Sequence, residues 1–453
     1  MKRLLLLSII FLPQALIAHS DSAKLKKLRD EIMLRSTCYE NLRVLSKDIG
    51  HRLSGSPQAE QAVQWGLKAM KEAGADRAWI EPVWVPRWVR GKERLRVKLP
   101  GNGGYETMRM LSLGNTEGSN GKTIEAPIIM VQNIDEFKAL KKEQVAGKIV
   151  FFNYRFRQDL ISPFEAYGDA IKYRGSTPTL VSAKGGAAVI IRSLSSGMDD
   201  APHTGMTRYA DSVRKIPAVA IGNFGADKLE AACHKGVVTA KLMTSARMMD
   251  SVLSHNVIGE LRGSSIPKEY IVVGGHLDSW DVGEGAQDDG AGCVQSIEVI
   301  RALKAAGMRP KRSVRAVLFM NEENGARGGK AYADSVHARR EKHILAIESD
   351  AGGFSPRGVG LEMAADKKAR VQKWAPLFAP LHVYDFEHEH GGVDIDPLAK
   401  GGTALAGLSP DPQRYFDYHH TEQDVFEVVN HRELKIGAAV MASLVYLVAQ
   451  YGL

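Results

Sequence analysis

Apolar positions along this chain follow two rhythms. Near the N-terminus, Ala59, Ala62, Val63, Gly66, Leu67 and Met70 recur on one helical face. Ser56 is placed to cap that helix, Pro57 suits its first turn and Gly74 its C-terminal end. An amphipathic stretch over 23–45 precedes it, and a Trp-, Val- and Ile-rich strand is expected over 78–89. From about 118 to 250 the rhythm shortens to β-like runs: APIIMV, KIVFFNY, AAVIIRS and IPAVAIG, punctuated by glycine and polar residues. This part is expected to form an inserted, largely β domain. From 252 onward the pattern is strand, loop, helix. YIVVGG runs into His276, a helix over 290–306 carries Val294, Ile297, Ile300 and Leu303 near one face, SVRAVLFM runs into Asn321, and HILAIES runs into Asp350. That alternation predicts an α/β fold with a doubly wound, mostly parallel sheet, which binds ligands at the carboxyl ends of its strands. The apolar run 438–449 is too short to span a bilayer and is expected to be a buried helix.

Composition adds an address more than a chemistry. The chain has 453 residues, 44% hydrophobic and 25% charged, enough for two or three ordinary globular domains. Its formal charge of +8 is spread along the sequence with no basic, aromatic-interleaved stripe, so a nucleic-acid partner is not expected. The first twenty residues, MKRLLLLSIIFLPQALIAHS, read as a secretory signal: a charged start at Lys2 and Arg3, an apolar stretch over 4–17, and cleavage after Ala18 or Ser20. The mature chain would then be secreted or periplasmic, without a stable membrane span. The odd cysteine count (Cys38, Cys233, Cys293) leaves at least one thiol outside any intramolecular disulfide; Cys38 with Cys233 is a possible pair, and Cys293 is expected to be buried on a helix.

Five residues in five short strings form a candidate two-metal site: His276 in GGHLDSWD, Asp288 in GAQDDGAG, Glu323 in NEEN, Asp350 in ESDAGG and His420 in YHHTEQD. Imidazole and carboxylate donors suit zinc. Asp288 would bridge two ions through its two oxygens. Glu323 is expected to complete the site of His276, and Asp350 that of His420. Asp278 is expected to hold the second ring nitrogen of His276, and Asp424 to support His420. Glu322 remains free as general base on a shared water, which suits amide hydrolysis. The double histidine is ambiguous, and the second is chosen for its TEQD context. Asp289 with Gly290 is expected to shape a tight turn. The string EHEH, 387–390, has metal-friendly residues but no strand to place them and is read as a solvated loop.

With IGHRLSGSPQAEQAVQW, GGHLDSWDVGEGAQDDGAG, NEENGARGG, ESDAGG, GGVDIDPL and YFDYHHTEQDVFE in this order, the chain resembles the co-catalytic zinc exopeptidases that include leucyl aminopeptidases and glutamate carboxypeptidases, most of all the plasma glutamate carboxypeptidase subgroup. The resemblance implies two zinc ions per chain, held by His276, Asp288, Glu323, Asp350 and His420, with Glu322 as base and Asp278 behind His276. It implies that 118–249 is a protease-associated domain set into a catalytic domain of 21–117 and 250–453. It also implies a homodimer and a substrate that is a dipeptide or short peptide. The chain reads TEQDV where the family usually reads TEADT, but Asp424 is kept. Competing expectations are an aminopeptidase of the same family, a receptor-like binding protein of this fold without catalysis, and a one-zinc glutaminyl cyclase. Asp394 in GGVDIDPL is the candidate for a substrate amine.

Overall fold

A computed structural model of the chain describes residues 12–101 and 103–453, with side chains in its N-terminal helix from Asp21 onward. The leader expected over residues 1–20 falls outside the residues whose side chains are described.

Two sheets organise the molecule. The first has seven strands, and four neighbours at its centre run parallel: Arg312–Phe319, Ile266–His276, Lys342–Glu348 and Ala404–Pro410. Antiparallel strands flank them, with Arg247–Leu261 and then Arg77–Val89 on one side and Pro356–Glu362 on the other. The sheet is therefore mixed, parallel only at its centre. Its central strands are apolar almost throughout because both faces are covered. Ile271 and Val273 enter the core beneath the Ala291–Ala305 and His431–Tyr451 helices, while Val272, between them, packs with Tyr332, Ala333 and Val336 on the opposite side.

Local signals set several ends. The Pro57–Glu72 helix starts where the Ser56 hydroxyl accepts the Ala59 N–H at 3.1 Å, and Gly74 follows at φ 82°. The C-terminal helix reaches twenty-one residues, His431–Tyr451, longer than the apolar run within it. It is long and apolar enough to cross a membrane, but it is mostly buried in the core, so it reads as a core helix. All three cysteines are free; Cys38 and Cys293 are buried in the main core.

The second sheet has eight strands, in the order Glu106–Met108, Glu93–Lys98, Thr239–Thr244, Ile124–Val131, Ile149–Phe152, Ala188–Arg192, Ala218–Ile221 and Leu111–Ser112. The four runs read as strands in the sequence all lie in it. The segment is less purely β than its apolar runs suggest: Pro163–Gly175 and Asn223–Lys235 are among five helices between residues 118 and 250. Those helices are short and carry small residues on their buried faces, such as Ala166 and Ala170, so their periodicity is weak beside runs like IVFF.

Candidate metal centre

The site sits where the central strands of the first sheet end. His276 closes its strand. The neighbouring strands stop at Phe319 and Glu348, so Glu323 and Asp350 stand in the loops just beyond, not on strand ends. Gly275 allows the loop to close on the strand: a Cβ there would fall 2.2 Å from Asp289 Oδ2. Asp289 uses that oxygen to accept the His276 N–H at 3.0 Å and the other to accept the Gly292 N–H at 2.8 Å. It ties strand to helix, in keeping with the tight turn expected of it.

The five expected ligands come together around Asp288. Its Oδ1 lies 3.0 Å from Nε2 of His276, and its Oδ2 lies 3.2 Å from Nε2 of His420. Asp350 Oδ1 is 3.3 Å from the same nitrogen of His276, and Glu323 Oε2 is 3.1 Å from that of His420. The pairing corrects the expected one: Asp350 joins His276, and Glu323 joins His420. The cause is local. The Trp280 N–H holds Glu323 Oε1 at 3.1 Å, which turns the other oxygen toward His420.

Two supporting roles also differ from expectation. The second ring nitrogen of His276 is held by the backbone carbonyl of Asp278 at 2.9 Å, while the Asp278 carboxylate stays 3.9 Å away. That carboxylate accepts the N–H groups of Asn321 and Glu322, at 2.7 and 3.1 Å. Asp424 does not reach His420; its oxygens accept the N–H groups of Ala286, Gln287 and Asp288, at 3.1, 2.7 and 3.1 Å. Nδ1 of His420 instead lies 3.3 Å from the carbonyl of Thr204, on the second-sheet segment.

Electrostatics follow from packing acids out of water. Burial pushes the Glu322 carboxyl up to about 8; Asp350 and Asp288 add to this and His276 opposes it. Burial raises the Asp288 carboxyl too, but its bonds to His276 and His420 outweigh that and hold it well below the carboxylate range. Burial also works against charge on His276, and Asp350 and Asp288 overcome it to hold the imidazole well above 6.5.

The donor set fits zinc. Donor atoms 3.0–3.3 Å apart approach the roughly 3.3–3.6 Å that a tetrahedral ion with bonds of about 2.0–2.2 Å imposes on its ligands. Asp350 Oδ1 is buried without a hydrogen-bond partner, an acceptor left to a cation. Two geometric groups capable of holding an ion are present among the described residues: His276, Asp288 and Asp350, and Asp288, His419 and His420. Neither draws on residues 118–249.

His419 is a member the sequence reading passed over. Its ring stacks on His420 at 3.5 Å between centroids, with Nε2 3.9 Å from Asp288 Oδ2. The HH doublet was the available signal, but adjacent residues seldom face one way, and only a turn with His420 at φ 62° brings both rings to the site. Asp394 is buried; its Oδ1 accepts the Gly329 N–H at 3.2 Å and its own N–H goes to Glu348. Residues 387–390 are exposed, as a solvated loop should be.

Comparison with known proteins gives the family. The sequence model of peptidase family M28 matches residues 256–445. Carboxypeptidase Q of Homo sapiens is 33% identical over 414 residues, 91% of this chain and 85% of that protein. The crystal structure of a peptidase M28 precursor from Shewanella amazonensis superposes with a TM-score of 0.91 at 30% identity, covering 96% of this chain and 98% of the other. A zinc aminopeptidase from Bacillus subtilis shares the fold, with a TM-score of 0.64 at 18% identity over 90% of this chain and 93% of the other.

Proposed function

The chain belongs to peptidase family M28 and is a metallo-exopeptidase, and we propose that it holds two zinc ions and hydrolyses dipeptides or short peptides from the carboxyl end. One observation carries the two-ion reading: Asp288 turns one oxygen to His276 and the other to His420, and each imidazole has its own second acid, Asp350 or Glu323. A single-ion site would not need a carboxylate split in this way.

Bound zinc supplies Lewis acidity that polarises a scissile carbonyl and acidifies water. The chain's own residues do the rest. Glu322, half-buried beside the five ligands, accepts the proton of the attacking water and returns it to the leaving amine. The Asp278 carboxylate holds the backbone at Asn321 and Glu322, which fixes where the base stands. His419 stacks on His420 with its Nε2 3.9 Å from Asp288 Oδ2, which packs the ligand imidazole from one side. The buried walls exclude bulk water and strengthen each of these interactions.

Likeness to carboxypeptidase Q over 91% of the chain favours action at the carboxyl end over the aminopeptidase reading. We assign residues 118–249, together with the strands over 93–112 that join them in the second sheet, to a protease-associated domain that borders the site and gives it no ligand, place the mature protein outside the cytoplasm on the strength of the leader expected over 1–20, and expect a homodimer.

The test pairs elemental analysis with digestion of a dipeptide set in which either the amino or the carboxyl end is blocked. About two zinc ions per chain, loss of hydrolysis on chelation and cleavage that needs a free carboxylate would support the proposal. Under one ion per chain, with full activity after chelation, would refute the two-zinc reading; cleavage that needs only a free amine would make the chain an aminopeptidase.

A further inference from the structure

We propose that Arg52 and Asp424 are positioning residues for the metal centre, two buried charges of opposite sign that clamp the backbone carrying Asp288 from its two sides. The proposal rests on the reading of Asp288 as a zinc ligand.

Arg52 lies in the HRLSG string, to which the mechanism assigns no role. Its side chain is fully buried, at 0% exposure. Among the described residues no carboxylate forms an ion pair with it. Its guanidinium is solvated by main-chain carbonyls: Nε donates to Leu277 at 2.6 Å, Nη1 to Glu284 at 2.9 Å and Nη2 to Gly285 at 2.8 Å. Its own N–H goes to the Ser279 hydroxyl at 3.2 Å. These four partners belong to the loop that leaves His276 and returns at Asp288.

Asp424 takes the complementary groups. The N–H groups it accepts belong to Ala286, Gln287 and Asp288, the residues immediately after the carbonyls that Arg52 holds. Between residues 284 and 288 the loop thus presents carbonyls to a cation and amides to an anion. Gly285 makes the passage possible: its φ is 58°, and a Cβ would fall 2.3 Å from Ser279 Cβ and 2.8 Å from Arg52 Nη1. Two residues on from Arg52, the Ser54 hydroxyl donates to Asn324 Oδ1 at 2.9 Å and receives Asn321 Nδ2 at 2.8 Å. One short segment therefore braces both the loop of Asp288 and the loop of Glu322 and Glu323.

A guanidinium away from water and with no carboxylate in ion-pair contact is unfavourable unless its donors find other acceptors. Here Nε, Nη1 and Nη2 each donate to the one loop whose placement sets both half-sites, and Nη1 also reaches the Gly50 carbonyl at 3.5 Å. Such a clamp orders the bridging carboxylate before any ion arrives, so the ion need not order the loop itself. Zinc affinity, more than fold stability, is then the property that depends on the pair.

The experiment uses the full-length protein stripped by chelation, as wild type, R52K and D424N. Zinc affinity is measured by competition with a chromophoric chelator, and thermal unfolding is followed with the chelator present. R52K keeps the charge and loses the fork; D424N keeps the shape and loses the anion, and carries the test if R52K does not fold. The expected result is zinc affinity lowered about 10–100-fold, the range for groups that orient ligands, with the unfolding temperature of the chelated protein near wild type. At saturating zinc, kcat recovers and KM does not move. Wild-type affinity in D424N or in folded R52K overturns the proposal. So does a loss of affinity that only tracks a matching loss of fold. If the wild type itself takes up no zinc, the proposed function falls first, and that outcome is seen before any variant is made.

Discussion

The backbone carbonyl of Asp278, not its carboxylate, holds the imidazole of His276, at 2.9 Å against 3.9 Å. The carboxylate is engaged by the N–H groups of Asn321 and Glu322, so one residue orients a ligand with its main chain and the base with its side chain.

Asp278→Asn should therefore leave zinc content intact and lower kcat, by about 10–100-fold as expected for a group one step removed from the chemistry. Metal analysis beside steady-state kinetics checks this. Loss of zinc with kcat preserved when zinc is resupplied would mean that the carboxylate acts on His276 after all.

The two acids of NEEN should separate. Glu322→Gln should keep both ions and lose proton transfer, typically worth 10²–10⁴-fold in turnover, with little change in KM. Glu323→Gln should lose an ion from the His420 half-site. Metal counting on both purified variants decides it; a metal-poor Glu322→Gln beside a fully loaded, inactive Glu323→Gln would exchange the roles.

Gly114 packs against the indole of Trp280, whose ring stands 5.6 Å from that of His420. A Cβ at residue 114 would lie 1.8 Å from the indole. Gly114→Ala should destabilise by about 1–3 kcal/mol through overpacking, read from denaturant unfolding. An unchanged midpoint would show that the indole moves aside freely.

His343 should make the fold sensitive to acid. It is buried, 2.9 Å from the Tyr332 hydroxyl and stacked on Tyr270, and burial with the nearby Arg315 lowers its pKa to about 3 from 6.5. The unfolded chain takes up a proton near 6.5 while the folded one refuses it until about 3. Stability is thus fully present above 6.5 and falls with pH through that window, with a limiting slope near 1.4 kcal/mol per unit. His343→Gln should flatten the profile between pH 6 and 4 in urea titrations; an unchanged slope would assign the acid sensitivity to other groups.

Much of this protein is written locally. Ser56, Pro57 and Gly74 fix the ends of one helix, and uninterrupted apolar runs announce strands covered on both faces, because capping and burial depend on neighbours in the chain. Three of the residues that meet at the site were legible for a related reason: a sheet delivers side chains to its carboxyl edge wherever a strand runs out, and the strings of His276, Glu323 and Asp350 stood at or just past such an end, while Asp288 and His420 come from loops further along the chain. What the sequence could not carry is which acid meets which imidazole. That choice is made by the Trp280 N–H on Glu323, a bond between residues 43 positions apart. Nor could it show that Asp278 works through its carbonyl, that Asp424 holds a loop and not His420, or that Arg52 reaches across 233 positions to Gly285. Main-chain carbonyls and amides are the same at every residue, so a sequence does not mark which of them will be used. Only the folded backbone brings a particular one within reach of a particular side chain.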